Sequence, residues 1–401
     1  MANAEREVPS VWLLGVASGL SPFGMAVVVP ALGSVSERFS ADFLSVQFLV
    51  SAYLLGLSIA QPACGFLCDR YGRRPVMLVG FLVFVAASLL CAVAPTLELL
   101  IAARFVQAAG VSVGTVASRA ILRDTRSADK VAEGMSYIAA TMGLAPVVAP
   151  IAGGVLDSAT GYAWIFVFSA AMGLLVLVNM LMHLSETLPK EAPQPRWRDW
   201  LVSYGDLLRS KKFVGSTLVF GFVQGTFFSF MAIGAAHFAA AFGYSSSRFG
   251  TIWGLMALAY VLGAWLGART TRAYGTRRVV SASVLLAVAG GAVLALLNVL
   301  MESSPMTILV PLGFLMTLSG AITPGAMAGA IQAHPVIAGT ASGLSSAIGL
   351  LVGGLFTILA GAVYTGAFAP IALLIFGTCL ATAASWWLAE QEPLPAAMPQ
   401  K

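Results

Sequence analysis

The chain has 401 residues, of which 59% are hydrophobic and only 10% charged, with a formal net charge of +5 and a mean hydropathy of +0.89. Soluble domains carry about a quarter charged residues, so this balance excludes a water-soluble enzyme or binding module. It calls for a series of membrane helices of about 20 apolar residues each, and the short alternating segments of a membrane β-barrel are missing.

From the N-terminus, Met1–Pro9 sets Glu5 and Glu7 against Arg6, the wrong charge for a secretory signal, so the run from Trp12 to about Ser34 is expected to stay as an uncleaved first helix. Apolar runs then predict helices near 43–66, 76–95, 98–118, 132–156 and 162–184, and a second set near 213–236, 248–268, 278–300, 306–330, 338–361 and 367–389. The polar stretch between the sets contains Pro189, Pro193 and Pro195 and reads as a linker, with an amphipathic surface helix around Trp197–Leu208. The expected organisation is an all-α integral membrane protein of twelve transmembrane helices in two six-helix pseudo-repeats: a half at 1–184, a linker at 185–212 and a half at 213–401. If both termini are cytoplasmic, Arg38 and Arg248 are the only two of the 22 basic residues outside, and Arg104 falls within a span. That asymmetry orients the chain, and it explains the basic charge without nucleic acid. The four cysteines lie in or at the ends of apolar runs, where they read as small hydrophobes.

A shift of 203 residues lays Tyr71, Gly72 and Arg74 on Tyr274, Gly275 and Arg277, each triplet in the turn between the second and third helix of its half. Parallel repeats of this kind place a substrate site between halves near the bilayer midplane. The first turn belongs to the segment Gly65-Phe66-Leu67-Cys68-Asp69-Arg70-Tyr71-Gly72-Arg73-Arg74-Pro75. In it Gly72 permits a tight turn, Pro75 can open the next helix, and Asp69 can pair with the arginines. Helix four carries Arg104-Phe105-Val106-Gln107-Ala108-Ala109-Gly110. Helix five carries Gly143, Pro146, Pro150, Gly153 and Gly154, where the prolines interrupt backbone hydrogen bonding and the glycines offer a close-packing face. Ala338-Gly339-Thr340-Ala341-Ser342-Gly343-Leu344 opens helix eleven, and Val29-Pro30-Ala31-Leu32 lies in helix one.

Together these segments resemble the major facilitator superfamily, and within it the Bcr/CflA-type drug-resistance exporters. Ala108 and Ala149 stand where the superfamily's helix-four and helix-five patterns have glycine. The resemblance implies the major facilitator fold and a bacterial inner-membrane location. It also implies that Gly65, Asp69, Arg70, Gly72, Arg73 and Arg74 form a cytoplasmic gating loop, and that the helix-five face packs on helix eight in antiporters. Proton-coupled exporters of this kind carry an acid in helix one; here that position is Ala26, among Met25, Val27, Val28 and Val29. A proton relay needs a titratable group in the membrane, so coupling through helix one is not expected, and His237 near the outer end of helix seven becomes the candidate proton site.

Arg104 must face a cavity or a set of polar partners, because an unpaired guanidinium in the membrane costs several kcal/mol. Gln107, Gln224, Asn298, Tyr53 and Phe227 are further candidates for lining a pocket. A cation held about 6 Å from Arg104 at an effective dielectric of about 20 would be repelled by roughly 2.8 kcal/mol. Neutral or anionic cargo is therefore expected. The functional expectation is a secondary active exporter of small amphipathic organic compounds, as in drug efflux. The same architecture suits a dedicated exporter of an endogenous metabolite such as a siderophore, a passive facilitator, or a non-transporting receptor. No catalytic constellation, nucleotide-binding loop, metal site or cofactor site is visible. The expected partners are a small-molecule substrate, protons if His237 titrates, and the lipid bilayer, with the protein a monomer.

Overall fold

The computed structural model describes residues 10–126, 128–188, 197–334 and 337–392. Both chain termini and the three linker prolines lie outside the described residues. Among the described residues twelve helices are long and apolar enough to cross a membrane, as the hydropathy predicts. The backbone explains the choice of element: in hydrocarbon every N–H and C=O must be satisfied within its own segment, which a helix alone achieves for a single span.

The first span is not one helix. α1 (Val11–Ala26) ends before a 3-10 turn at Val29–Ala31, and α2 (Leu32–Phe39) carries the chain onward. Pro30 lies in that turn and lacks the amide that an uninterrupted helix would use. There follow α3 (Phe43–Tyr71), α4 (Arg73–Val93), α5 (Leu97–Thr125), α6 (Ala128–Thr160) and α7 (Ala163–His183). α8 (Trp197–Arg209) is the short amphipathic helix expected in the linker. The later spans are α9 (Lys211–Phe242), α10 (Ser246–Tyr274), α11 (Thr276–Leu300), α12 (Pro305–Gln332), α13 (Ala338–Val363) and α14 (Ala369–Glu390).

Side-chain caps start three of these helices. Thr96 accepts from the Leu99 amide and Ser210 from the Phe213 amide, while Ser304 and Thr307 cap each other's amides in a capping box before Pro305. The helices overrun the predicted apolar segments: α3 continues to Tyr71 and α9 extends from Lys211 to Phe242. Polar termini can stay helical beyond the hydrocarbon layer, where hydropathy stops reporting.

The chain forms two compact units. One comprises Met1–Pro195 with Ser245–Gly254, the other Arg196–Tyr244 with Leu255–Lys401. Two boundaries therefore differ from a simple division into halves. The first turns of α10 cluster with the first unit, and α8 clusters with the second. α8 does so through Leu207, which is fully buried against Phe213, Ala330, Ala333 and Ala341.

Within the first unit α1 packs on α5 and α6, and α4 on α5 and α7; within the second, α9 packs on α12 and α13, and α11 on α12 and α14. The same pairings by order of span recur in both. The aligned turns match as well. Gly72 has φ +105° and Gly275 has φ +81°, each immediately before the third helix of its unit, in a region that glycine enters without steric cost. Leucine and valine dominate the outward faces; on α4, Val79, Leu82, Leu89, Leu90 and Val93 are all exposed, as lipid-facing positions should be.

Candidate functional site

The basic turn between α3 and α4 folds into a charge cluster. α3 delivers Asp69 and α4 begins with Arg73, four residues on, so their side chains meet across the turn. Arg73 Nη1 donates to Asp69 Oδ1 at 2.5 Å and Nε donates to Asp124 Oδ2, from the end of α5, at 3.2 Å. Arg73 is 4% exposed while the Asp69 side chain is 53% exposed, so the enclosed guanidinium depends on both carboxylates.

Glu186, just past α7, supplies the other half of the cluster. Its carboxylate accepts from the Arg73 and Arg74 amides at 2.9 and 3.2 Å, and from the Thr187 and Leu188 amides. It thus satisfies the first amides of α4, where the helix dipole favours negative charge. A Cβ on Gly72 would strike this carboxylate. Arg74 Nη2 reaches the Leu181 carbonyl at 3.4 Å, Arg70 lies over the rings of Phe66 and Tyr71, and Gly65 packs loosely beside Val116.

The second unit has a related cluster at the corresponding turn. Glu390, at the end of α14, forms ion pairs with Arg277 at the start of α11 and, at 3.1 Å, with Lys212. Glu392 accepts from the Lys212 amide at 2.9 Å and the Ser210 hydroxyl at 3.0 Å, capping α9. The Lys212 amide, with Ser210 assisting, holds the Glu392 carboxyl below the usual carboxylate range. No acid matches Asp69, because the aligned position is Arg272. Asp124, Glu186, Glu390 and Glu392 had not been singled out in the sequence, since each completes its cluster from a distant segment.

Arg104 is 0% exposed. Nη1 donates to the Gly24 carbonyl at 3.0 Å and to Gln107 Oε1 at 2.6 Å, Nε donates to the Leu49 carbonyl at 3.4 Å, and the guanidinium lies 4.1 Å from the Tyr53 ring centroid. Gln107 Nε2 donates to Ser88 Oγ at 2.7 Å, and the Tyr53 hydroxyl donates to the Ser21 carbonyl at 2.9 Å. One network therefore ties α1, α3, α4 and α5 together. Of the two environments expected for Arg104, the structure places it among polar partners, with Nη2 unpartnered and no carboxylate in ion-pair range among the described residues.

The other predicted pocket residues belong to the second unit. Phe227 and Gln224 lie on α9, Phe227 stacked edge-on with Phe228 and Tyr260, and Gln224 half-buried. Asn298 instead donates to the Leu294 and Thr307 carbonyls and clasps α11 to α12.

His237, on α9, is 2% exposed; Nδ1 lies 3.1 Å from the Tyr364 hydroxyl, Nε2 has no partner among the described residues, and the rings of Phe238, Phe242, Tyr364 and Phe368 surround it.

α6 runs unbroken through Pro146 and Pro150. Gly153 sits so close to the Val27 carbonyl that no Cβ could fit, and a Cβ on Gly154 would lie 2.6 Å from the Ser246 carbonyl. From the other side, Gly250 presses on the Pro150 carbonyl and Gly254 on Val147 and Ile151. The contacts between α6 and α10 run from Val147 to Gly154, and Gly143 has nothing within 4 Å.

A model of the Major Facilitator Superfamily matches residues 14–357. Multidrug resistance protein D of Escherichia coli is 28% identical, over 89% of this chain and 88% of its own length. A bicyclomycin resistance protein homolog of Haemophilus influenzae is 26% identical, over 92% of each. The crystal structure of a bacterial homolog of the human lysosomal transporter Spinster, inward-facing and unoccupied, superposes with a TM-score of 0.74 at 14% identity, covering 97% of this chain and 98% of that one. At that identity it speaks for the fold alone.

Proposed function

The chain belongs to the Major Facilitator Superfamily of secondary transporters, not to the enzymes, and from that premise we propose that it exports small amphipathic organic molecules by alternating access. The observation that carries the export reading is the packing of the α6 glycine face on the first turns of α10. Backbone-to-backbone contact at Gly154 and Gly250 narrows this seam, and a transporter that works against a gradient needs a tight one. The relatives named for multidrug and bicyclomycin resistance support the same reading. The two compact units are the natural moving bodies, and the Asp69–Arg73–Asp124 cluster is a cytoplasmic latch that breaks and reforms in the cycle. In this reading the protein resides in the bacterial inner membrane with both termini inside.

Substrate charge follows from Arg104. It is a buried cation with no acid in ion-pair range among the described residues, so the first unit carries an unneutralised positive charge within its spans. Neutral and anionic compounds escape that field, whereas permanent cations are disfavoured. Arg104 acts here as a positioning and field-setting group, since its donors are committed to Gly24, Leu49 and Gln107. Expression in a bacterium stripped of its own efflux pumps is the test: accumulation of neutral or anionic amphipathic compounds should fall. Unchanged accumulation of both, with efflux of quaternary ammonium dyes, would overturn the assignment.

A further inference from the structure

Arg104 gives the first unit a buried positive charge, but its donors are committed to Gly24, Leu49 and Gln107, so an acidic cargo needs another group to hold it. α5 carries one. From Ser112 to Leu122 every residue of α5 is buried or half-buried except Arg119, which is exposed. It lies in the stretch by which α5 overruns its apolar segment, before the helix ends at Thr125. Its hydrogen-bond partner is a sulfur: Nη2 lies 3.6 Å from Met142 Sδ on α6. A thioether is a weak acceptor, and the rest of the guanidinium fork is left to donate elsewhere.

Among the described residues no carboxylate pairs with Arg119. Asp124, further along α5, is taken by Arg73. Arg123, one turn beyond Arg119 on the same face, is also exposed and without an ion pair. The face is therefore positive and unneutralised. The turn before Arg119 has polar groups in the same condition. Thr115 shares its face at four residues' distance and is 6% exposed, Ser118 adjoins it and is 0% exposed, and neither hydroxyl oxygen has a partner among the described residues. Buried hydroxyls are ordinarily satisfied; those of Thr141, Ser169 and Thr323 donate to the carbonyl four residues back.

We propose that Arg119 is the recognition site for the acidic group of an amphipathic anion: a carboxylate, sulfonate or phosphonate on an apolar body. The planar fork can donate two parallel hydrogen bonds to such a group, and the Met142 side chain offers polarisable apolar surface beside it. This assignment rests on the transporter reading and makes anions the preferred substrate class, but binding is measurable without transport. An arginine that merely met water or lipid headgroups would not tell an acid from its amide.

The test compares naphthoate with naphthamide, which have the same apolar body and differ in charge. Purified full-length protein in detergent should bind tritiated naphthoate in a scintillation proximity assay, with naphthamide competing at least about tenfold less well, the size of one charge-assisted hydrogen bond. Arg119→Gln should weaken naphthoate by that factor and leave naphthamide unchanged. Arg119→Lys, which keeps the charge and loses the fork, should fall between. Equal loss of both compounds in Arg119→Gln, no loss of either, or a wild type that binds neither would overturn the site. Should Arg119→Gln fail to fold, phenylglyoxal modification of the wild type decides. Naphthoate should slow modification of the peptide carrying Arg119 and naphthamide should not; equal rates with the two would overturn the proposal. Arg119-dependent binding with no counterflow of either compound in proteoliposomes would uphold this site and refute the export reading. Counterflow of naphthoate that Arg119→Gln leaves unchanged would refute the site and uphold transport.

Discussion

At the scale of single residues, two guanidiniums show how enclosure sets the consequence of a mutation. Arg104 is held by three acceptors and a ring, a geometry suited to the planar fork of arginine and not to the point charge of lysine. Hydrogen bonds to charged groups contribute about 1.5–3 kcal/mol each. Arg104→Lys should forfeit at least one of them and lower the thermal unfolding temperature in detergent. If stability is unchanged while transport is lost, the network is not what Arg104 is for. Arg73 differs because Asp69, its shorter contact, is half in water. Such a pair is worth about 0–1 kcal/mol, so Asp69→Asn should slow turnover in reconstituted protein by at most about fivefold with substrate affinity unchanged. Unaltered turnover would remove the latch. Glu392 gives the pH prediction. Its carboxyl is held below the ordinary range in the folded chain, so its contribution is present above the unfolded value and is lost as pH falls through the folded one. Protection of the Lys212 and Phe213 amides against hydrogen exchange, corrected for the intrinsic rate at each pH, should therefore fall at acid pH, and Glu392→Gln should show the low protection already at neutral pH.

At the scale of the helix, α6 separates two glycines that look alike in sequence. A Cβ at position 153 would meet the Val27 backbone, which cannot move aside as a flexible side chain can, while one at 143 would meet nothing. Overpacking of this kind costs about 1–3 kcal/mol, so Gly153→Ala should destabilise the protein and impair transport. Gly143→Ala should be neutral or slightly stabilising, by up to about 1 kcal/mol from helix propensity. Thermal unfolding of the two variants side by side checks the contrast; equal loss would contradict the packing argument. The contrast also shows which features were legible beforehand. Hydropathy located all twelve spans because each is a local property of about 20 residues. The glycine turns were legible because Gly72 and Gly275 sit at matching places in two repeats. The break at Val29–Ala31 has its signal in Pro30, but hydropathy, which stays high across it, does not register it. The partners of Arg73 were not legible: Asp124 and Glu186 lie 51 and 113 residues away, and nothing in their neighbourhoods marks them. Asp157 reads as a helix-end acid in the sequence, because its burial and its hydrogen bond from Ser34 of α2 depend on tertiary packing.

At the scale of the whole molecule, orientation and activity are the remaining claims. The charge asymmetry predicts that the α7–α9 connection is cytoplasmic and the α11–α12 turn is outside. In intact cells an impermeant thiol reagent should label Glu302→Cys and leave Arg209→Cys, whose side chain is exposed on α8, untouched until the membrane is opened. The reverse pattern would invert the protein. The central claim is secondary transport of neutral or anionic amphipathic compounds, and counterflow in proteoliposomes tests it most directly, because it needs neither an energy source nor knowledge of direction. Vesicles preloaded with an excess of an unlabelled neutral or anionic compound should transiently accumulate its labelled form above equilibrium, and should do so far less for a quaternary ammonium ion. No transient for any of the three classes would contradict the transporter account, and a transient for the quaternary cation alone would contradict the role assigned to Arg104.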